Sequence, residues 1–212
     1  MQPNEISQSY KTYYVDVGLE RASLFKLLQK TFALRDVLYP GCLMHITPSF
    51  YFPHVAYVDI HENARLFFSD LSAVKSFIDR KKLYQRSTYI EFIEQDFNEA
   101  LPLRIESYDL LISLYAGGIA HACHSYLKPG GILLSDDHHD DAGQAKRESG
   151  LELIAVIKKK GKDYLLDRQD LDNYFVTRNS TGKKSRQTSS KKMPEKYTNC
   201  ADYYLFRKAK RF

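Results

Sequence analysis

The densest run of chemically capable side chains is Ser135-Asp136-Asp137-His138-His139-Asp140-Asp141, four carboxylates around two imidazoles. An imidazole in such company can take a proton from a hydroxyl or amine while a neighbouring acid holds its ring in one orientation. His138 is the first choice for that base and Asp137 for its orienting partner. The same residue types also ligate divalent metals. A third reading is a solvated acidic loop capping the helix expected over 142–148, since the positive start of a helix favours acids. Other histidines carry less. His121-x-x-His124 flanks Cys123 on a helix whose buried stripe uses the cysteine, so both imidazoles should point sideways or outward, and no further ligands accompany them. His45 and His54 are isolated residues around one short loop.

The scaffold that must position these groups can be read from apolar periodicity. Residues 19–32 carry a helical stripe through Ala22, Phe25, Leu28 and Phe32, and residues 62–81 carry a second through Ala64, Phe67, Phe68, Leu71, Val74 and Ile78. Extended runs are expected at 36–39, 54–60, 88–96, 108–115, 132–134, 151–157 and 203–207, several of them continuous in apolar residues as in strands covered on both faces. A helical stripe from Ile119 to Leu127 separates the fourth run from the fifth and is stopped by Lys128-Pro129-Gly130-Gly131. Residues 167–176 read as a turn or short helix. The alternation implies an α/β domain: a doubly wound, mostly parallel seven-stranded sheet with helices on both faces and an antiparallel C-terminal strand pair. Its ligand should lie at the C-terminal ends of the strands.

Within that order, Leu127-Lys128-Pro129-Gly130-Gly131-Ile132-Leu133-Leu134 resembles the L-x-P-G-G turn into the fifth strand of class I S-adenosylmethionine-dependent methyltransferases. The final strand pair without a parallel crossover is similar to the sixth and seventh strands of that family, and the resemblance spans roughly residues 35–208. It implies S-adenosylmethionine as cofactor. It also implies that Asp59, closing the second strand 18 residues after Gly41, holds the ribose. The residue type supports that role by itself, because one strand-end carboxylate can accept from two vicinal hydroxyls. Asp96 would then meet the adenine amine, Phe97 would lie against the ring, and Tyr39, Gly41 and Ser113 would line the same crevice.

The sequence departs from the family pattern in its first loop, where Tyr39-Pro40-Gly41-Cys42-Leu43-Met44-His45 keeps a single glycine. Thr47-Pro48 could start a short helix whose amides meet a carboxylate. The chain has no Asn-Pro-Pro-Tyr motif, which disfavours methylation of planar amino nitrogens in DNA or protein glutamine. Ser113-Leu114-Tyr115 lacks the carboxylate that Mg²⁺-using relatives place there, so no metal is expected. Tyr115 could wall the methyl-transfer region.

Composition bounds the alternatives. With 212 residues, 43% hydrophobic, 27% charged and 13% aromatic, the chain is neither collagen-like nor disordered nor a disulfide framework. Cys42, Cys123 and Cys200 form no C-x-x-C pair, and a reducing cytoplasm is the natural compartment. No run approaches the roughly 18 apolar residues of a membrane span, and the start shows no secretory signal pattern. The net charge of +5 is unevenly placed, since residues 1–177 hold 20 basic and 24 acidic side chains. Residues 1–34 read as an N-terminal extension with a leading helix, 35–177 as the core, 178–198 as a basic flexible loop, and 199–212 as the final strand with a basic tail. Nucleic acid is an unlikely partner beyond weak electrostatic contact through residues 183–196. The leading expectation is methyl transfer to a small-molecule or protein acceptor. A non-catalytic methyltransferase-like binding or scaffold protein is the alternative, and an NAD-dependent oxidoreductase is less favoured because G-x-G-x-x-G is missing.

Overall fold

The computed structural model of the chain describes residues 3–176 and 197–210. The basic segment 183–196 lies outside the described residues. In chain order the elements are α1 (Pro3–Tyr10), a π-helical turn (Lys11–Val15), α2 (Ala22–Thr31), β1 (Asp36–Pro40), a 3₁₀ turn (Thr47–Phe50), β2 (His54–Val58), α3 (Glu62–Phe68), α4 (Leu71–Asp79), β3 (Tyr89–Ile93), β4 (Tyr108–Ser113), α5 (Ile119–Cys123), β5 (Leu127–Ser135), α6 (Asp141–Arg147), β6 (Leu151–Lys160), β7 (Asp163–Asp167) and β8 (Tyr203–Lys208).

The strands form one sheet in the order β3-β2-β1-β4-β5-β8-β6-β7. The first five run parallel, and β8 inserts antiparallel between β5 and β6. This is the doubly wound plan with its antiparallel C-terminal pair, enlarged from the expected seven strands to eight. The added strand, β7, arises because β6 continues past Ile157 to Lys160, reverses at Gly161 (φ +65°) and pairs with itself as a hairpin. The expected turn at 167–176 contains a 3₁₀ turn, Leu171–Asn173.

Alternation along each strand sends neighbours to opposite faces and so builds two cores. Val37, Tyr39, Val55 and Tyr57 meet α1, α2, α3 and α4 through Tyr10, Phe25, Phe67 and Phe77. Leu38, Ala56, Val58 and Leu111 meet α5 and α6 through Ile119, Cys123, Ala142 and Ala145. Each large side chain fully removed from water contributes about 1.5–3 kcal/mol before conformational entropy is counted.

Local chemistry explains where helices depart from the expected bounds. The 62–81 stripe is one apolar face shared by two helices, because Asp70 accepts from the Ala73 amide at 2.9 Å and caps a new helix. The leading helix starts later than expected, after Arg21 in the left-handed region (φ +54°). The polar start, expected to be only an extension, contains α1, which buries Ile6 and Tyr10. Among the described residues no helix is long and apolar enough to cross a membrane, and Cys42, Cys123 and Cys200 are all unbridged.

Candidate active site

The winding of the sheet reverses between β1 and β4, so the crevice outside their C-terminal ends is where an α/β sheet takes its ligand. Gly41 leaves β1 with φ +62°, and its amide donates to Val58 O at 2.8 Å. A side chain there would bring its first carbon 2.7 Å from the Ala116 β-carbon and 3.9 Å from Phe97 Cε1. The close neighbour that requires a glycine is therefore Ala116, in the turn after β4.

Asp59 stands beside this turn, directly after β2 and half-buried. Its Oδ2 accepts from the Leu43 amide at 2.7 Å and its Oδ1 from the His61 amide at 2.8 Å. A carboxylate has about four acceptor positions, so two remain. After β3, Asp96 Oδ1 accepts from the amide and side chain of Asn98 at 2.9 and 2.8 Å, and Phe97 packs partly buried against the second core. The structure thus collects Gly41, Asp59, Asp96 and Phe97 at the ends of three adjacent strands.

Two residues expected to line the crevice serve other roles. Tyr39 is fully buried in the first core, its hydroxyl 3.0 Å from His45 Nδ1. An even number of steps along the strand separates it from Val37, which directs both to that core. Ser113 is also fully buried and donates to the carboxylate of Asp141, which further accepts from the Gly118 amide at 2.8 Å and Ser135 Oγ at 3.5 Å. Burial pushes the Asp141 carboxyl above its ordinary value despite these hydrogen bonds. Ser113 and Ser135 are cross-strand partners, so Asp141 closes the seam between β4 and β5.

The short helix expected at Thr47-Pro48 is a single, wholly buried 3₁₀ turn. The amides leading to it are already engaged: Leu43 with Asp59, Met44 with Tyr14 Oη, His45 with Cys42 O and Ile46 with Met44 O. His45 itself is buried between Tyr39 Oη and Glu20 O, 3.1 Å from Nε2. A carbonyl can only accept, so Nε2 carries the proton and Nδ1 accepts from Tyr39. Burial, reinforced by the Arg21 charge and opposed by the Glu20 hydrogen bond, pushes this imidazole down to about 3.

In the acidic loop, His138 and His139 are exposed with their rings edge to face, centroids 4.8 Å apart. Asp136 Oδ1 accepts from the His138 amide at 3.2 Å, and burial raises its carboxyl. Asp137 Oδ1 accepts from the Gly143 amide at 3.3 Å, a contact with the first turn of α6. The loop therefore combines the helix-capping reading with an imidazole at the rim of the strand ends. Among the described residues no group of three or more His, Cys, Asp or Glu side chains is arranged to hold a metal ion. His121 pairs with Glu148 at 2.6 Å, and His124 Nδ1 lies 3.1 Å from Ala120 O.

Sequence reasoning missed the N-terminal segment that covers the strand ends. Tyr10 Oη lies 2.7 Å from Thr47 Oγ1 and 2.9 Å from Glu20 Oε1, and Tyr14 Oη accepts from the Met44 amide at 3.1 Å. Arg21 stacks its guanidinium 4.3 Å over the Tyr115 ring and donates from Nε to Tyr203 Oη at 2.6 Å. Tyr115 has φ +70°, and its buried hydroxyl has no hydrogen-bond partner among the described residues. The spacing of Tyr10 and Tyr14, one helical turn apart, is the one signal that could have marked the segment.

No family model matches the chain, and no curated protein matches it in sequence. Solved structures do match in fold. A provisionally named O-methyltransferase from Klebsiella pneumoniae aligns with a TM-score of 0.50 and 11% identity over 90% of this chain and 80% of that one. The 16S rRNA methylase RmtB aligns with a TM-score of 0.50 and 16% identity over 78% and 69%. A provisionally named S-adenosyl-L-methionine-dependent methyltransferase from Methanococcus maripaludis aligns at 0.45 and 11% over 64% of this chain and 63% of its own length, so the chain spans less than two thirds of that relative.

Proposed function

From the class I methyltransferase-like fold that these structures share with the chain, we propose that the protein is an S-adenosylmethionine-dependent methyltransferase acting on a small-molecule or protein acceptor. The observation that carries this reading is Asp59: a strand-end carboxylate, oriented by two backbone amides, with two acceptor positions left for a pair of ribose hydroxyls. Phe97 beside Gly41 offers an apolar wall for a purine, and Asp96 an acceptor for its amine. These donor and acceptor types fit the sugar and base of the cofactor.

When bound, the cofactor supplies an electrophilic methyl group on a sulfonium. The chain's task is to hold donor and acceptor in line, the largest contribution available to a bimolecular transfer. His138, exposed at the rim beyond β5, is the residue to receive the proton that the acceptor nucleophile gives up. Asp136 and Asp137 brace the loop through the His138 and Gly143 amides.

The deciding experiment is calorimetric titration of the full chain with S-adenosylmethionine and S-adenosylhomocysteine, beside Asp59→Ala. Binding that is lost in the variant supports the reading, and no heat from either ligand overturns it. A second reading, a methyltransferase-like binding protein without transfer, is favoured by the close approach of Ala116 to Gly41 and by the engaged amides of the first loop. Turnover of any acceptor that disappears in His138→Ala, with cofactor binding retained, excludes it.

A further inference from the structure

We propose that Arg21 and Tyr115 form a carboxylate cradle that grips the amino-acid end of the donor nucleoside, in place of backbone amides of the first loop. This rests on the donor-binding reading above and adds where the far end of the ligand is held.

Most backbone donors of the first loop are already taken. The amides of Gly41, Leu43, Met44, His45 and Ile46 all have partners within the chain, and a side-chain carboxylate already occupies that of Leu43. The loop has no free run of N–H groups with which to meet an anion. Cys42 has the one amide between Gly41 and Ile46 without an acceptor among the described residues, so a charged amino-acid end lying past Gly41 needs side-chain donors for its carboxylate.

Arg21 provides them. Its guanidinium has five N–H donors in a planar fork. One meets Tyr203 Oη at 2.6 Å, and another reaches Leu19 O at a long 3.4 Å. No carboxylate forms an ion pair with it among the described residues, although the Asp136 carboxyl feels its field. The fork is held in place by stacking on Tyr115 at 4.3 Å and by the left-handed backbone at Arg21, immediately after Glu20 is fastened to His45. A planar guanidinium pre-oriented in this way matches a carboxylate in two parallel hydrogen bonds.

Tyr115 completes the cradle. It follows the end of β4, next to Ala116, which touches Gly41. Its left-handed backbone is an uncommon conformation for a bulky side chain, and such strain is retained chiefly where function holds it. Its hydroxyl is buried without a partner among the described residues, a state that a bound oxygen acceptor relieves. Tyr115 packs against the first core and Phe97 against the second, so the phenol under the arginine fork and the Phe97 ring belong to opposite faces of the sheet.

The test uses calorimetry of the full chain with two ligands, S-adenosylhomocysteine and 5′-methylthioadenosine, which share the nucleoside and thioether but differ in the amino-acid end. The wild type should bind the first more tightly. Arg21→Gln should weaken S-adenosylhomocysteine about ten- to a hundredfold, as expected for loss of a charge-assisted pair, and leave 5′-methylthioadenosine unchanged. Tyr115→Phe should weaken only S-adenosylhomocysteine, by several-fold. Arg21→Lys, which keeps charge without the fork, should fall between, and circular dichroism melts check that each variant folds. If Arg21→Gln does not fold, Arg21→Lys and Tyr115→Phe decide. Equal effects on both ligands, or no effect on either, overturn the cradle while leaving the donor reading intact. A wild type that binds neither ligand overturns both.

Discussion

The carboxylate of Asp59 accepts the amide of Leu43 at 2.7 Å, so the residue that ends β2 fastens the turn that leaves β1. The same side chain is the proposed grip on the ribose, which joins loop geometry to ligand binding. Asp59→Ala should therefore be read on two scales. In the absence of ligand it leaves the Leu43 and His61 amides without their acceptor, with an expected loss of about 1–3 kcal/mol in urea unfolding. With S-adenosylhomocysteine present, the upward shift in melting temperature expected for the wild type should be absent in the variant.

Gly41 is constrained twice, by φ +62° and by the Ala116 β-carbon. Gly41→Ala should destabilise the protein by about 2–4 kcal/mol, combining the left-handed penalty with a clash between two chain segments. Adding Ala116→Gly should recover the steric part and leave about 1 kcal/mol of backbone penalty. Urea midpoints of the two single variants and the double variant measure the coupling. Additive losses would place the strain outside this contact.

The doubly wound plan was legible because Val55–Val58, Leu110–Ile112 and Ile132–Leu134 are short, continuous apolar runs separated by helical stripes. Strand β7 was not, since Asp163-Tyr164-Leu165-Leu166-Asp167 is an edge strand with mixed exposure whose pairing depends on the turn at Gly161. The positions of Asp59, Asp96 and Phe97 followed from where strands end. Tyr39 and Ser113 were misplaced because adjacency to a strand end does not tell which face a side chain takes. Arg21 and Tyr115 meet only through tertiary packing, and neither the left-handed backbone nor the missing partner of the Tyr115 hydroxyl leaves a local pattern.

His45 makes the first core sensitive to acid. Its folded-state value near 3 lies below the ordinary 6.5, so between those limits the unfolded chain binds a proton that the native state refuses. Stability rises with pH through this window and falls as pH drops from 6.5 towards 3. The expected loss from pH 7 to pH 5 is about 2 kcal/mol from this group alone. His45→Gln can donate to Glu20 O and accept from Tyr39 without titrating, so its unfolding free energy should lose about 2 kcal/mol less over the same interval. Equal slopes for variant and wild type would remove His45 as the source.

Asp141 should behave in the opposite sense. It is 1% exposed, and its carboxylate serves Ser113 Oγ, the Gly118 amide and Ser135 Oγ. Burial outweighs these bonds and raises its value above the ordinary 3.8, so above that pH the native state holds a proton that the unfolded chain has released. Its contribution to stability falls as pH rises from 3.8 through the folded-state value. Asp141→Ala leaves the Ser113 hydroxyl and the Gly118 amide buried without an acceptor, with an expected cost of about 2–4 kcal/mol. Asp141→Asn keeps the shape: its carbonyl can accept from Gly118 while its amino group donates to the Ser113 oxygen, and it never ionises. Relative to wild type, Asp141→Asn should therefore gain stability as pH rises from 3.8 through the folded-state value of Asp141. Urea titrations at three pH values settle the sign, and a difference that shrinks with rising pH would mean that hydrogen bonding to the charged form, not burial, governs the seam between β4 and β5.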